Sequence, residues 1–151
     1  MELPVINHPD YVAKINDDNK FPIKKFGALA DHLLKARVIK KFHIPKECST
    51  ETMQTSHSLE YINHIRNKTL DMKLQKKIGF PINDSVVRRS FVATGGTVLA
   101  SKLALDSKLA CNTAGGSHHA MFDYGAGYCV FNDVAVAANY LKDKGYAKKI
   151  L

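Results

Sequence analysis

The residues best equipped for chemistry fall within Ala114 to Asp133, AGGSHHAMFDYGAGYCVFND. Two adjacent histidines, His118 and His119, follow the pair Gly115-Gly116. Imidazole titrates near neutrality, so it can serve as general base, general acid or metal ligand. In a tight loop two neighbouring imidazoles can reach one substrate atom, whereas on a strand they would point to opposite faces. Gly115, Gly116, Gly125 and Gly127 mark a loop of demanding geometry, and glycine lets the main chain approach a ligand closely. Taken alone, a histidine pair is also compatible with a structural role, one ring hydrogen-bonded as scaffold. No GxxxxGK[ST] occurs, which disfavours a nucleotide-binding loop. Cys129 could act as a nucleophile beside either histidine. The sequence specifies no activating group for it, so it reads as a small buried hydrophobe.

The elements that would position this loop follow from the apolar spacing. The opening through Pro22 is rich in turn formers and is expected to be irregular. Phe26 to Ile39 predicts an amphipathic helix through Phe26, Leu29, Ala30, Leu33, Leu34 and Val38. Ser49 or Thr50 could cap a short helix through Gln54. Ser58 to Arg66 and Leu70 to Ile78 predict two more, the second closed by Gly79 and Pro81. Ser85 to Leu105 is the longest helical stretch. Its mid-helix Gly95-Gly96 is costly there and implies close approach by a neighbouring element. Leu109 to Thr113 reads as a strand running into the histidine loop, and Tyr128 to Phe131 as extended. Asn132 or Asp133 then caps a helix, Val134 to Leu141, that is apolar almost all round and so expected to be buried. Gly145 would stop it, and Ala147 to Leu151 looks like the start of another strand. Alternating helices and strands predict an α/β architecture with parallel pairing, in which active sites sit in loops at the carboxyl ends of strands.

Composition narrows the function classes. Of 151 residues 45% are hydrophobic and 24% charged, a globular balance. No apolar run approaches the roughly 18 residues of a membrane helix. No basic-then-apolar leader is visible at the start, so the expected compartment is cytoplasmic. Cys48, Cys111 and Cys129 form no CxxC pair, which argues against a disulfide scaffold or thiol-rich zinc site. The net charge of +8 comes mainly from scattered lysines, and the one arginine pair, Arg88-Arg89, sits inside an expected helix. That pattern suits solvated surface better than a nucleic-acid stripe, so neither a nucleic acid nor a membrane is expected as partner.

The block GGSHHAMFDYGAGYCVFNDVAVAA resembles the signature of the histone deacetylase family, most closely its bacterial and class IV-like branch. Other segments match in order: KFPIKKF from Lys20, HSLEY from His57, Gly79-Phe80-Pro81, Arg89-Ser90, and Gly95-Gly96-Thr97 with Ala104-Leu105. The resemblance runs from about residue 8 to 151. It implies an α/β fold: the N-terminal part of a three-layer arginase/deacetylase-like domain with a parallel central sheet, residues 1–151 forming a partial domain. His118 and His119 match the tandem histidines that act as base and electrostatic or acid partner. Gly127 and Tyr128 match the pair lining a narrow substrate channel, with Phe21 and Pro22 near its mouth. Cys129 matches the cysteine beside the pair, and Asn132-Asp133 the opening of the next helix. Tyr124, Ala126 and Tyr128 stand where this branch often has Arg, Glu and Phe.

The chemistry so implied is zinc-dependent hydrolysis of an amide, with acetyl-lysine or a similar acetylated amine as substrate. The zinc ligands of the family, an Asp-x-His pair and a later Asp, and its oxyanion-stabilising Tyr fall beyond Leu151, so this chain supplies no metal ligand. His8, His32, His43, His57 and His64 lack ligand spacing, and His57 reads as a helix-start residue. The expectation is an N-terminal half that acts only when joined, covalently or through a second chain, to a C-terminal half carrying the metal site. The alternative is an inactive truncated or split-gene remnant.

Overall fold

Two short parallel strands pack against the longest helix of the chain. β1 (Val5–Ile6) pairs with β2 (Cys111–Asn112), Val5 opposite Cys111 and Ile6 opposite Asn112. The computed structural model describes residues 3–151. Parallel pairing is as the alternation of helices and strands predicts, but β1 falls in the opening expected to be irregular. Two residues are too few to show a period of two. What holds Val5 and Ile6 extended is pairing on both sides, with β2 and with His43.

Six α-helices are present among the described residues: α1 (Lys25–Lys35), α2 (Thr50–Met53), α3 (Leu59–Arg66), α4 (Met72–Ile78), α5 (Asp84–Ser107) and α6 (Asp133–Asp143). Their starts carry the capping chemistry that the sequence advertises. Ser49, Ser58, Asp71, Asn83 and Asn132 each accept a backbone N–H of the following turn through the side chain. α1 is shorter than its apolar spacing predicts. It stops at Lys35 because Arg37 turns to φ 54°, and only Phe26 and Ala30 of its apolar residues are buried.

α5 is the central strut. Val86, Phe91 and Val92 are fully or almost fully buried, and α6 and both strands pack against it. The glycine pair is explained by close approach. A Cβ on Gly95 would collide with the Lys46 carbonyl and the Cys48 amide nitrogen, and one on Gly96 with the Tyr11 hydroxyl. The space left is used: Cys48 N–H donates to the Phe91 carbonyl, and Tyr11 Oη to Asn112 Oδ1 at 2.9 Å.

Three expectations need correction. Tyr128 to Phe131 is not a strand. Gly127 and Tyr128 both take positive φ, 54° and 65°, in a tight turn closed by Cys129 N–H on the Ala126 carbonyl. Residues 147–151 form no strand, and the one sheet among the described residues does not include them. α6 is buried along one face only: Val136 and Ala137 meet the core while Val134 is half exposed.

Candidate active site

The histidine loop leaves β2 at its carboxyl end and is held from below by α6. Asp133, the first residue of that helix and 2% exposed, accepts three hydrogen bonds. Gly116 N–H and Ser117 N–H donate at 3.0 and 2.6 Å, and the Thr97 hydroxyl of α5 donates the third. Its neighbour Asn132 caps the helix through Oδ1 and donates through Nδ2 to the carbonyls of Ala120 and His118, at 3.2 and 3.5 Å. The two helix-start residues therefore fasten both ends of the segment carrying His118 and His119.

The two rings lie close, with centroids 4.2 Å apart and planes inclined at 39°. Both side chains are exposed on the cleft side of the loop. His118 Nδ1 is 3.0 Å from the Gly116 carbonyl. A carbonyl only accepts, so Nδ1 carries the proton, and in the neutral ring Nε2 is left with a lone pair. His119 packs flat against Gly127: a Cβ there would lie 3.2 Å from its ring. With φ 54° as well, Gly127 is constrained both by its backbone and by its neighbour.

The turn at Gly127-Tyr128 is itself pinned by α4. Gly127 N–H and Tyr128 N–H donate to the last carbonyls of that helix, Lys77 at 3.1 Å and Ile78 at 2.7 Å. Tyr128 then stacks with Phe21 and Phe80, at centroid distances of 5.0 and 5.3 Å. A cleft of about 230 Å³ opens between these groups, lined by Phe21, Arg89, His118, His119, Tyr128 and Cys129 among others. Of the residues singled out from the sequence, His118, His119, Gly127, Tyr128 and Phe21 meet in this cleft. Pro22 does not: it is exposed and lines a separate groove with Val12 to Lys24. Cys129 is buried, its Sγ 3.6 Å from the Gly127 carbonyl.

Two supporting residues escape sequence reasoning. His57, 1% exposed, accepts the Asn132 N–H at Nε2, 2.9 Å. It stands just before the Ser58 cap of α3 and ties that helix to the start of α6. Burial pulls its pKa below the ordinary histidine value, partly offset by the Phe122 and Met121 carbonyls. Even so, Nδ1 has no well-placed hydrogen-bond partner among the described residues. Arg89 is the second. Arg88 and Arg89 point about 100° apart on a helix, so they need not share a face. The apolar companions Val86 and Ala93, three back and four on, mark Arg89 as the one that faces inward.

The histone deacetylase domain profile matches residues 20–151. The chain belongs to the histone deacetylase family. An uncharacterised protein of Picosynechococcus sp. is 40% identical across all of this chain and 51% of its own length. The acetoin utilization protein AcuC of Staphylococcus aureus is 25% identical, covering 91% of this chain and 38% of that protein. Histone deacetylase 2 of Arabidopsis thaliana is 26% identical over 80% of this chain and 33% of its own length. Among solved structures, an HDAC homolog from Aquifex aeolicus superposes with a TM-score of 0.77 at 24% identity, over 97% of this chain and 42% of that one. An HDAC homolog complexed with SAHA gives 0.78 at 23%, with 97% and 42% covered. The deacetylase fold is thereby shown, in part. This deacetylase-family chain spans between a third and a half of the curated relatives it matches. No helix among the described residues is long and apolar enough to cross a membrane.

Proposed function

We propose that this chain supplies the acid–base and channel-lining portion of a deacetylase-type amidohydrolase acting on acetyl-lysine or a similar acylated amine. The observation that carries the reading is the convergence of both imidazoles, Tyr128 and Phe21 on one cleft, with the loop held by Asp133 and Asn132. One imidazole takes a proton from the attacking water, and the other delivers one to the leaving amine. The hydrogen bond from Nδ1 to the Gly116 carbonyl orients His118 with Nε2 free for that exchange. Phe21 and Tyr128 wall a passage suited to an aliphatic stem ending in an amide.

The family implies zinc, but the residues here do not fit it. Among the described residues no group of three or more His, Cys, Asp or Glu side chains is placed to hold a metal ion. Asp133, the buried acid beneath the pair, spends both oxygens on the loop and Thr97. No step is therefore routed through a metal held by this chain, and a metal would require ligands from elsewhere.

The test is a chimera joining this chain to the C-terminal portion of the 40%-identical relative, assayed with added zinc on a fluorogenic acetyl-lysine peptide. The expected result is hydrolysis that falls ~10²- to 10⁴-fold in His118→Ala or His119→Ala, the usual share of a general acid–base group. A folded chimera that hydrolyses equally well without either histidine refutes the reading.

A further inference from the structure

Arg89 is a buried cation that the proposed reaction does not use. Its side chain is 7% exposed. Nε–H donates to the Tyr11 carbonyl at 3.0 Å, and the guanidinium carbon lies 4.8 Å above the Phe26 ring centre. No other side-chain hydrogen bond and no carboxylate partner is found for it among the described residues. Arg88, one position away, shows the contrast, bonding Asp10 and Glu47 at the surface. Burial is the largest influence on Arg89 and lowers its pKa to about 10, while Tyr11, Cys129 and Asp133 raise it from a distance. Asp133 acts on it only from a distance and makes no ion pair with it, its oxygens accepting from the histidine loop and Thr97.

The remaining N–H groups of Arg89 have no side-chain partner among the described residues. Arg89 lines the histidine cleft together with Lys25, and no carboxylate among the described residues lines it with them. A planar guanidinium whose Nη1/Nη2 edge has no partner among the described residues matches one ligand chemistry above others: a carboxylate taken in bidentate fashion.

We propose that Arg89 forms a carboxylate-binding subsite in this cleft and selects acyl groups that carry a carboxylate of their own, such as a succinyl group. A carboxylate released from a neutral acyl group would meet Arg89 only after the amide is cleaved. An acyl chain with its own carboxylate compensates the buried charge from first encounter. The selection of substrate rests on the amidohydrolase reading, whereas the subsite does not.

The experiment is a titration of the full chain followed by NMR of the Arg89 Nε–Hε and His119 ring signals. The probes are N-butylsuccinamate, N-butylacetamide and acetate. The expected result is that the succinamate moves both signals with an apparent Kd at least tenfold below those of acetamide and acetate. Arg89→Gln should abolish the preference, and Arg89→Lys should keep part of it. Equal binding of succinamate and acetamide overturns the subsite. Equal shifts with acetate and succinamate overturn the selection and make the group a receiver of released acid. The comparison of probes on the unaltered chain needs no variant to fold. Failure of the hydrolase reading would leave these shifts intact, and failure of the subsite would leave hydrolysis of acetyl amides by the joined enzyme intact.

Discussion

Replacing Asp133 by Asn tests whether the histidine loop is held by a charged anchor. Asp133 is almost wholly buried and accepts from Gly116 N–H, Ser117 N–H and the Thr97 hydroxyl. An Asn side chain fills the same space but keeps one acceptor oxygen and turns an NH₂ toward at least one of these donors. The loss is one charge-assisted bond plus a buried donor facing a donor. Charge-assisted bonds are worth ~1.5–3 kcal/mol and an unsatisfied buried group costs ~1–3, so the total should be ~2.5–6 kcal/mol. For a chain of this size that corresponds to a drop of roughly 5–24 °C in Tm. Thr97→Val removes the hydroxyl donor to Asp133 and also the acceptor of Asn112 Nδ2, and should cost ~1–2 kcal/mol. Thermal unfolding by circular dichroism measures the first quantity. Amide shifts of Gly116, Ser117 and His118 report whether the loop has come free. A Tm within about a degree of the parent, with unmoved Gly116 and Ser117 amides, would show that the loop is held by something else and refute the anchor.

Two further outcomes follow from buried groups. The His57 pKa is depressed by burial below its ordinary 6.5, so protons prefer the unfolded chain. The stabilisation is complete above that value and is lost as pH falls through it toward the folded-state pKa. Melting temperature should therefore decline between pH 7.5 and 5.5, and His57→Gln should flatten the decline; an unchanged slope in the variant would assign the pH dependence to other histidines. Gly95→Ala places a methyl against the Lys46 carbonyl and Cys48 amide nitrogen, backbone atoms that cannot swing aside. A cost of ~3 kcal/mol or more in urea unfolding is expected, at or above the usual range for overpacking, and a neutral result would mean that the Lys46–Cys48 segment is not fixed where it lies.

Much of the local structure was legible along the chain because it is locally caused. Ser49, Ser58 and Asn132 stand where cap chemistry requires them, and the helices they start lie where the apolar spacing predicts. The Gly95-Gly96 pair announced a close contact that the structure supplies. The histidine loop was legible through its residue types. What failed was whatever depends on a partner. Val5–Ile6 becomes a strand only because β2 and His43 lie on either side. Residues 147–151 have strand-like composition but are not included in the one sheet among the described residues. Tyr128 was expected to be extended, yet hydrogen bonds to the end of α4 and packing on Phe21 and Phe80 hold it at positive φ.

The same division runs through the site. The sequence by itself determined that two imidazoles follow a glycine pair and precede a capped helix, since these are matters of residue type and spacing within one segment. Tertiary structure alone decided that Asp133 spends its oxygens on the loop and Thr97, that His57 reaches across from α3 to the start of α6, and that Arg89 lines the cleft with no ion-pair partner among the described residues. Those facts depend on the spacing and rotation of whole helices, which are set by the summed burial of the core.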